Sequence, residues 1–104
     1  MDIYKVSVTQ PAENDLRDIA RYITSQLNAP ITALQLIQTI RKAIAKLETN
    51  ALFYPFVRDD RLASLGYRIL SIKNYHTFYV ANENDKFVSV DRILYGRRDW
   101  KNIL

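Results

Sequence analysis

Residues 66–96 read GYRILSIKNYHTFYVANENDKFVSVDRILYG, and the reading of this stretch decides the fold. Three segments in it, Tyr67–Ile72, Tyr75–Ala81 and Lys86–Leu94, are rich in β-branched and aromatic residues. Such residues favour strands. The breaks between them, Lys73-Asn74 and Asn82-Glu83-Asn84-Asp85, are short enough for hairpin turns, so the segments predict an antiparallel three-strand unit.

Upstream lies a different periodicity. Ala33, Leu36, Ile37, Ile40, Ala43, Ile44 and Leu47 recur at helical spacing, which predicts a helix from Pro30 to about Glu48. Ala12, Leu16, Ile19, Ala20 and Ile23 form a second stripe behind Pro11, a residue suited to a first turn. Glu13 and Asp15 then stand where a helix dipole favours acids. The break Asn28-Ala29-Pro30 is tight enough to make the two helices an antiparallel hairpin. Residues 4–8 alternate, with Tyr4, Val6 and Val8 on one face, as a half-buried strand does. Residues 50–66 read as irregular, with Arg58-Asp59-Asp60-Arg61 a charged and exposed stretch. The whole is an α+β chain of order β-α-α-β-β-β with a short basic tail. A helical hairpin can cover only one face of such a sheet, which predicts a second face left partly open.

At 104 residues the chain suits one domain, residues 1–104. It has no Cys, so disulfides and thiolate metal sites are excluded and a reducing cytoplasm is the expected location. No apolar run reaches the roughly 20 residues of a membrane span, and the opening Met1-Asp2-Ile3-Tyr4-Lys5 has no signal-peptide layout. The net charge is +4, and it is uneven: residues 1–66 hold 8 Lys/Arg against 7 Asp/Glu, residues 67–104 hold 7 against 4. The basic excess in the last third suits nucleic acid, a nucleoprotein particle or an acidic peptide.

That third also holds the candidate functional residues. Arg92-Ile93-Leu94-Tyr95-Gly96-Arg97-Arg98-Asp99-Trp100 gathers three arginines and two aromatics, a set suited to phosphate contact and base stacking. Packing is the competing role, with Trp100 plugging the core edge and the arginines in surface pairs. His76, the only histidine, can titrate near neutrality and could move a proton in phosphodiester cleavage. It can equally be an ordinary polar strand residue. Arg68 could point into the open face or lie on a solvated edge. No Gly-rich phosphate loop, metal-ligand spacing or Ser-His-Asp pattern is present, so neither a metal nor a nucleotide cofactor is expected.

Particular residues carry a family resemblance. Ala12-Glu13-Asn14-Asp15-Leu16, with Ile19 and Tyr22-Ile23, looks like the first helix of RelE/ParE-superfamily toxins. Gly66-Tyr67-Arg68-Ile69-Leu70, Asn74-Tyr75 and Phe78-Tyr79 resemble their middle strands, and Arg92 to Asp99 their closing strand, most of all in ParE-like members. The match runs from about Tyr4 to Leu104. It implies the toxin of a type II toxin–antitoxin pair, bound in a hetero-oligomer by an antitoxin that would cover apolar helix positions such as Leu16, Ile23, Ile37 and Ile40. Two activities exist in the superfamily. ParE-like members inhibit DNA gyrase by binding, for which Tyr95, Arg97, Arg98 and Trp100 would be the contacts. RelE-like members cut messenger RNA on the ribosome without metal, for which His76, Arg68, Arg92 and Arg97 would be the catalytic set. The nuclease pattern is incomplete: the lysine pair of RelE is replaced by Arg68 and the apolar Leu70, and its next-strand arginine by His76. With no assignable general base, the resemblance leans towards ParE-like binding. A toxin decayed to an antitoxin-binding module is a third reading.

Overall fold

The computed structural model describes residues 2–96 and 98–104. Strand β1, Lys5–Val8, leads into helices α1, Gln10–Ser25, and α2, Pro30–Ala45. Thr9 explains where α1 begins. Its hydroxyl accepts from the Ala12 amide at 3.3 Å, as an N-cap should, and donates to the Asp91 carbonyl at 3.0 Å. Helix start and sheet are therefore fixed by one side chain. Asn28 turns the chain between the helices with φ of 51°, a left-handed conformation that Asn tolerates. The Arg41–Glu13 ion pair, 3.0 Å, joins the far end of α2 to the start of α1, so the hairpin is antiparallel.

The helical pattern expected to reach Glu48 is interrupted: α2 ends at Ala45 and a short α3, Leu47–Asn50, follows. The region expected to be irregular contains α4, Asp60–Ser64. Its cap is Asp59, whose carboxylate accepts from the Leu62 amide at 3.0 Å. The charged stretch thus nucleates a turn around Leu62, a fully buried residue. Strands β2, Tyr67–Ile72, β3, Tyr75–Asn82, and β4, Phe87–Tyr95, come next, and the tail closes as α5, Trp100–Ile103. No helix among the described residues is long and apolar enough to cross a membrane.

The sheet order is β1-β4-β3-β2. Strands β2, β3 and β4 pair antiparallel as their short turns require, whereas β1 lies parallel to β4. Parallel pairing needs a long crossover, and the intervening helices supply it. A bulge shifts the register between Phe78↔Arg92 and Tyr79↔Val90, leaving Asp91 as the extra residue of β4. Because of it Val88, Val90 and then Ile93 all face the helices.

Two cores result. Between the hairpin and the sheet lie Leu16, Ile23, Leu36, Ile40 and Ile44 with Leu70, Tyr79, Val88, Val90 and Ile93. On the opposite face Val57, Leu62, Phe78 and Leu94 pack together, joined by Tyr67, Ile69, Trp100 and Ile103. The open second face expected from a lone hairpin is therefore corrected. Helices α4 and α5, too short to show a periodic stripe, shelter much of it, and Arg61 ties them by donating to the Lys101 carbonyl at 3.1 Å.

Candidate functional site

Of the four residues expected to form a nuclease centre, the three that the structure describes do not converge. Opposed residues in a β ladder share a face. Arg68 is opposite Tyr79, on the helix side, while His76 is opposite Ser71, on the other. Arg68 has a packing task. Its Nη1 donates to the Tyr54 carbonyl at 2.7 Å and the Leu52 carbonyl at 3.3 Å, and its guanidinium sits 4.0 Å from the centre of the Phe56 ring. It thereby organises residues 52–56. Arg92 is engaged elsewhere, with Nε 2.7 Å and Nη2 2.9 Å from the two oxygens of Asp15. Arg97 lies outside the described residues.

Asp15 is the residue that the sequence reading placed for the wrong reason. It is buried on the inner stripe of α1, and its Oδ2 also accepts from the Ile93 amide at 2.9 Å. Strand β1 ends at Val8, opposite Val90, so among the described residues no strand pairs with β4 on that side beyond the bulge. Asp15 takes the place of the missing strand. The signal was an acid between Ala12, Leu16 and Ile19, on the face that must be buried.

His76 lies in a small concavity of about 210 Å³ with Lys73, Asn74, Tyr95 and Gly96. Its Nδ1 is 2.8 Å from Ser71 Oγ. A side-chain carbon on Gly96 would come within 2.9 Å of His76 Nε2, so glycine is what permits the ring to sit there. Burial pushes the imidazole pKa below its ordinary value. Neutral imidazole favours a hydrogen-bonding role over an electrostatic one. The linkage follows: as pH falls below about 6.5 the unfolded chain takes up a proton that the folded one resists. Stability present above that pH is then lost. Thermal melts at about pH 7.5 and 5 should show a larger drop for wild type than for His76→Gln. Parallel drops would remove His76 as the source.

At this end of the sheet Tyr75 and Tyr95 meet edge to face, 5.6 Å between ring centres, with Tyr95 partly exposed. Arg98 is exposed, and its amide donates to the Tyr95 carbonyl at 2.9 Å. Trp100 does not stand free. It stacks on Phe78 at 5.3 Å and 35°, and Lys101 Nζ lies 5.7 Å from the centre of its ring. Tyr95 and Arg98 are thus brought together, and Trp100 anchors the segment that carries Arg98.

The residues expected as antitoxin contacts lie mostly inside the fold. Leu16, Ile23 and Ile40 are buried in the main core and Ile37 is half-buried against it, so the stripe that looked available is consumed by the sheet. The apolar residues left outside include Tyr22, Leu27, Ile31 and Leu34 around the hairpin turn, with Phe53 and Phe56 in the loop after α3. Periodicity identifies the buried face but says nothing of an exposed apolar residue beside it. A further pairing went unseen: Asp91 accepts from the Tyr67 hydroxyl at 2.8 Å and the Ser89 hydroxyl at 2.6 Å. Burial and that carboxylate push the Tyr67 pKa up to about 12. Among the described residues no three His, Asp or Glu side chains gather as a metal site requires.

Residues 6–100 match the family model described as the ParE toxin of the type II toxin–antitoxin system parDE. The chain belongs to the ParE toxin family. Among solved structures, this ParE-family toxin is similar to a chain of the chromosomal ParDE toxin–antitoxin system of P. aeruginosa. That likeness has a TM-score of 0.73 at 20% identity, covering 89% of this chain and 96% of the other. It is also similar to a chain of the RelBE2 toxin–antitoxin complex of Mycobacterium tuberculosis, with a TM-score of 0.61 at 17% identity, covering 89% and 98%. No curated protein matches its sequence. The family is that of type II toxin–antitoxin toxins, and the two structural likenesses establish the shared fold.

Proposed function

We propose that this ParE-family toxin arrests growth by binding DNA gyrase, not by cutting messenger RNA, and that an antitoxin neutralises it in a hetero-oligomer. One observation carries the choice: the side chains a nuclease would need are held apart. Arg68 and His76 belong to opposite faces of the sheet, and Arg92 is occupied by Asp15. Proton transfer requires groups within about 3 Å of the reacting atoms, and rearranging Arg92 would break a paired, mostly buried charge. Binding needs only exposed side chains on a rigid frame. Tyr95 and Arg98 meet that need, with Arg97 beside them in sequence and Trp100 as their anchor. Tyrosine and arginine are also the residue types that dominate interface energies.

The family's antitoxin partnership is supported by the two similar structures, both from toxin–antitoxin systems. With Leu16, Ile23, Ile37 and Ile40 inside, the surface it covers must use other residues.

Purified toxin should inhibit gyrase supercoiling, and toe-printing of translated messages should show no new codon-phased ends. Tyr95→Ala with Arg98→Ala should weaken gyrase inhibition by about 30-fold or more while the melting temperature stays nearly constant. Codon-phased cleavage with unimpaired gyrase would replace this reading by the nuclease one.

A further inference from the structure

The turn from β2 to β3 and the end of β4 close around the small concavity that holds His76. Lys73 makes that turn with φ of 52°, a left-handed conformation that Asn or Gly reaches at less cost. The Gly96 amide donates to the Asn74 carbonyl at 2.7 Å and ties the turn to the residue that follows β4. The rim is therefore fixed before anything binds. Ser71, opposite His76 in the ladder, holds the ring through its Oγ, 2.8 Å from Nδ1. Nε2 is the nitrogen turned towards Gly96, where a side-chain carbon would close the space.

The lining is uniform in its chemistry. Lys73, Asn74, His76 and Tyr95 can each donate a hydrogen bond, and no Asp or Glu stands among them. The three ion pairs among the described residues all lie elsewhere, so Lys73 brings a charge without a carboxylate to match it. When the Ser71 hydroxyl donates to Nδ1, the neutral ring carries its proton on Nε2 and presents it to the concavity. An ammonium beside neutral donors calls for one negative charge with several lone pairs, and a carboxylate has both. At about 210 Å³ the space takes the end of an acidic side chain. A nucleic-acid strand asks for something else, a run of cations along its phosphates. The lining has one lysine, and burial keeps its imidazole neutral.

We propose that this concavity receives an aspartate or glutamate side chain of a partner protein, with Lys73 supplying the charge and His76 Nε2 the directed hydrogen bond. Ser71 is a positioning residue that selects the tautomer of His76. Tyr95 belongs both to this lining and to the surface assigned to gyrase contact, so gyrase as the partner rests on that reading. The chemistry of the concavity does not.

The probes are the N-methylamides of N-acetyl-aspartate and N-acetyl-glutamate, titrated into isotope-labelled toxin at constant ionic strength and followed by NMR. Their Asn and Gln counterparts are neutral isosteres, and dimethyl phosphate stands for a nucleic-acid backbone. An acidic probe should produce saturable shifts at the Gly96 amide and at His76 Nε2, with the ring held in its Nε2–H form. The isosteres should bind at least about tenfold more weakly. Lys73→Asn is the decisive variant. Asn suits the left-handed turn, so the melting temperature should not fall, yet the acidic probe should bind at least about fivefold more weakly. Ser71→Ala should lower both the affinity and the Nε2–H population, and Gly96→Ala should abolish binding by filling the space. The proposal is overturned if neither acidic probe shifts Gly96 and His76, if the isosteres bind equally well, or if Lys73→Asn binds as wild type does. Tighter binding of dimethyl phosphate would overturn it in favour of nucleic acid. In the supercoiling assay Lys73→Asn should weaken inhibition by a factor similar to its loss of probe affinity. Weakened probe binding with undiminished inhibition would overturn gyrase as the source of the carboxylate. If wild-type toxin leaves gyrase unimpaired, the gyrase reading fails, and the probe titration alone decides the concavity.

Discussion

Replacing Asp15 by Ala should cost this toxin about 3 kcal/mol or more, lowering its melting temperature by roughly 12–24 °C. The carboxylate takes three hydrogen bonds at once, two from Arg92 and one from the Ile93 amide. Removing it leaves a guanidinium that is 26% exposed and a buried backbone N–H, each stripped of its acceptor. The partial exposure of Arg92 places the effect at the lower end of what breaking a buried pair costs. Arg92→Ala should cost less than Asp15→Ala, because Asp15 keeps the Ile93 amide in the variant. Asp15→Asn should fall between them, retaining an acceptor without the charge. A thermal-melt series in the order wild type, Arg92→Ala, Asp15→Asn, Asp15→Ala would establish Asp15 as the substitute for a missing strand. Equal losses for both alanine variants would mean that the ion pair alone matters. The same series bears on activity, since any loss of toxicity in Arg92→Ala should follow the loss of folded protein and vanish at low temperature.

Asp15 also shows where sequence reasoning stops. The strands and the hairpin were legible because they are long and periodic: Tyr67–Ile72 and Tyr75–Asn82 follow the stretch first read, with only end residues moved. What escaped was whatever depends on pairs distant in sequence. Asp15 and Arg92 are separated by 77 residues, and an acid in the first turns of a helix has a sufficient local explanation. Short helices were lost for a related reason. Five residues of α4 and four of α5 carry no measurable period, so the second face looked open when it was to be covered. The site suffered most. Arginine in a β-rich basic segment suggests phosphate equally well whether the residue is exposed, as at Arg98, or its guanidinium is stacked on Phe56, as at Arg68. Only geometry separates the two. The residues expected to meet an antitoxin show an opposite logic: Leu16, Ile23 and Ile40 stand out as apolar, and apolarity at helical spacing is what the core itself requires.

The second large effect is expected at Phe78, which touches no partner in any reading. It is fully buried at the centre of the second core, with Trp100 on its ring and Leu62, Val57 and Leu94 around it. Phe78→Ala should cost about 3–5 kcal/mol, because a cavity this enclosed has little room to collapse. Its consequence for function is separable from its cost. The segment carrying Arg98 is held to the sheet through Trp100, so emptying the space beneath should free α5 before the main core opens. Amide exchange at Trp100 to Leu104 should then accelerate even where far-ultraviolet circular dichroism still reports a folded chain. Trp100→Ala should lose less stability, since the ring is only half-buried and Phe78 remains to fill part of the site. If gyrase contact depends on this presentation, Trp100→Ala should weaken inhibition out of proportion to its modest effect on melting. Inhibition that tracks only the folded fraction in both variants would reduce Trp100 to a core residue. Unchanged exchange at α5 in Phe78→Ala would mean that the tail is held by Arg61 and not by the ring stack.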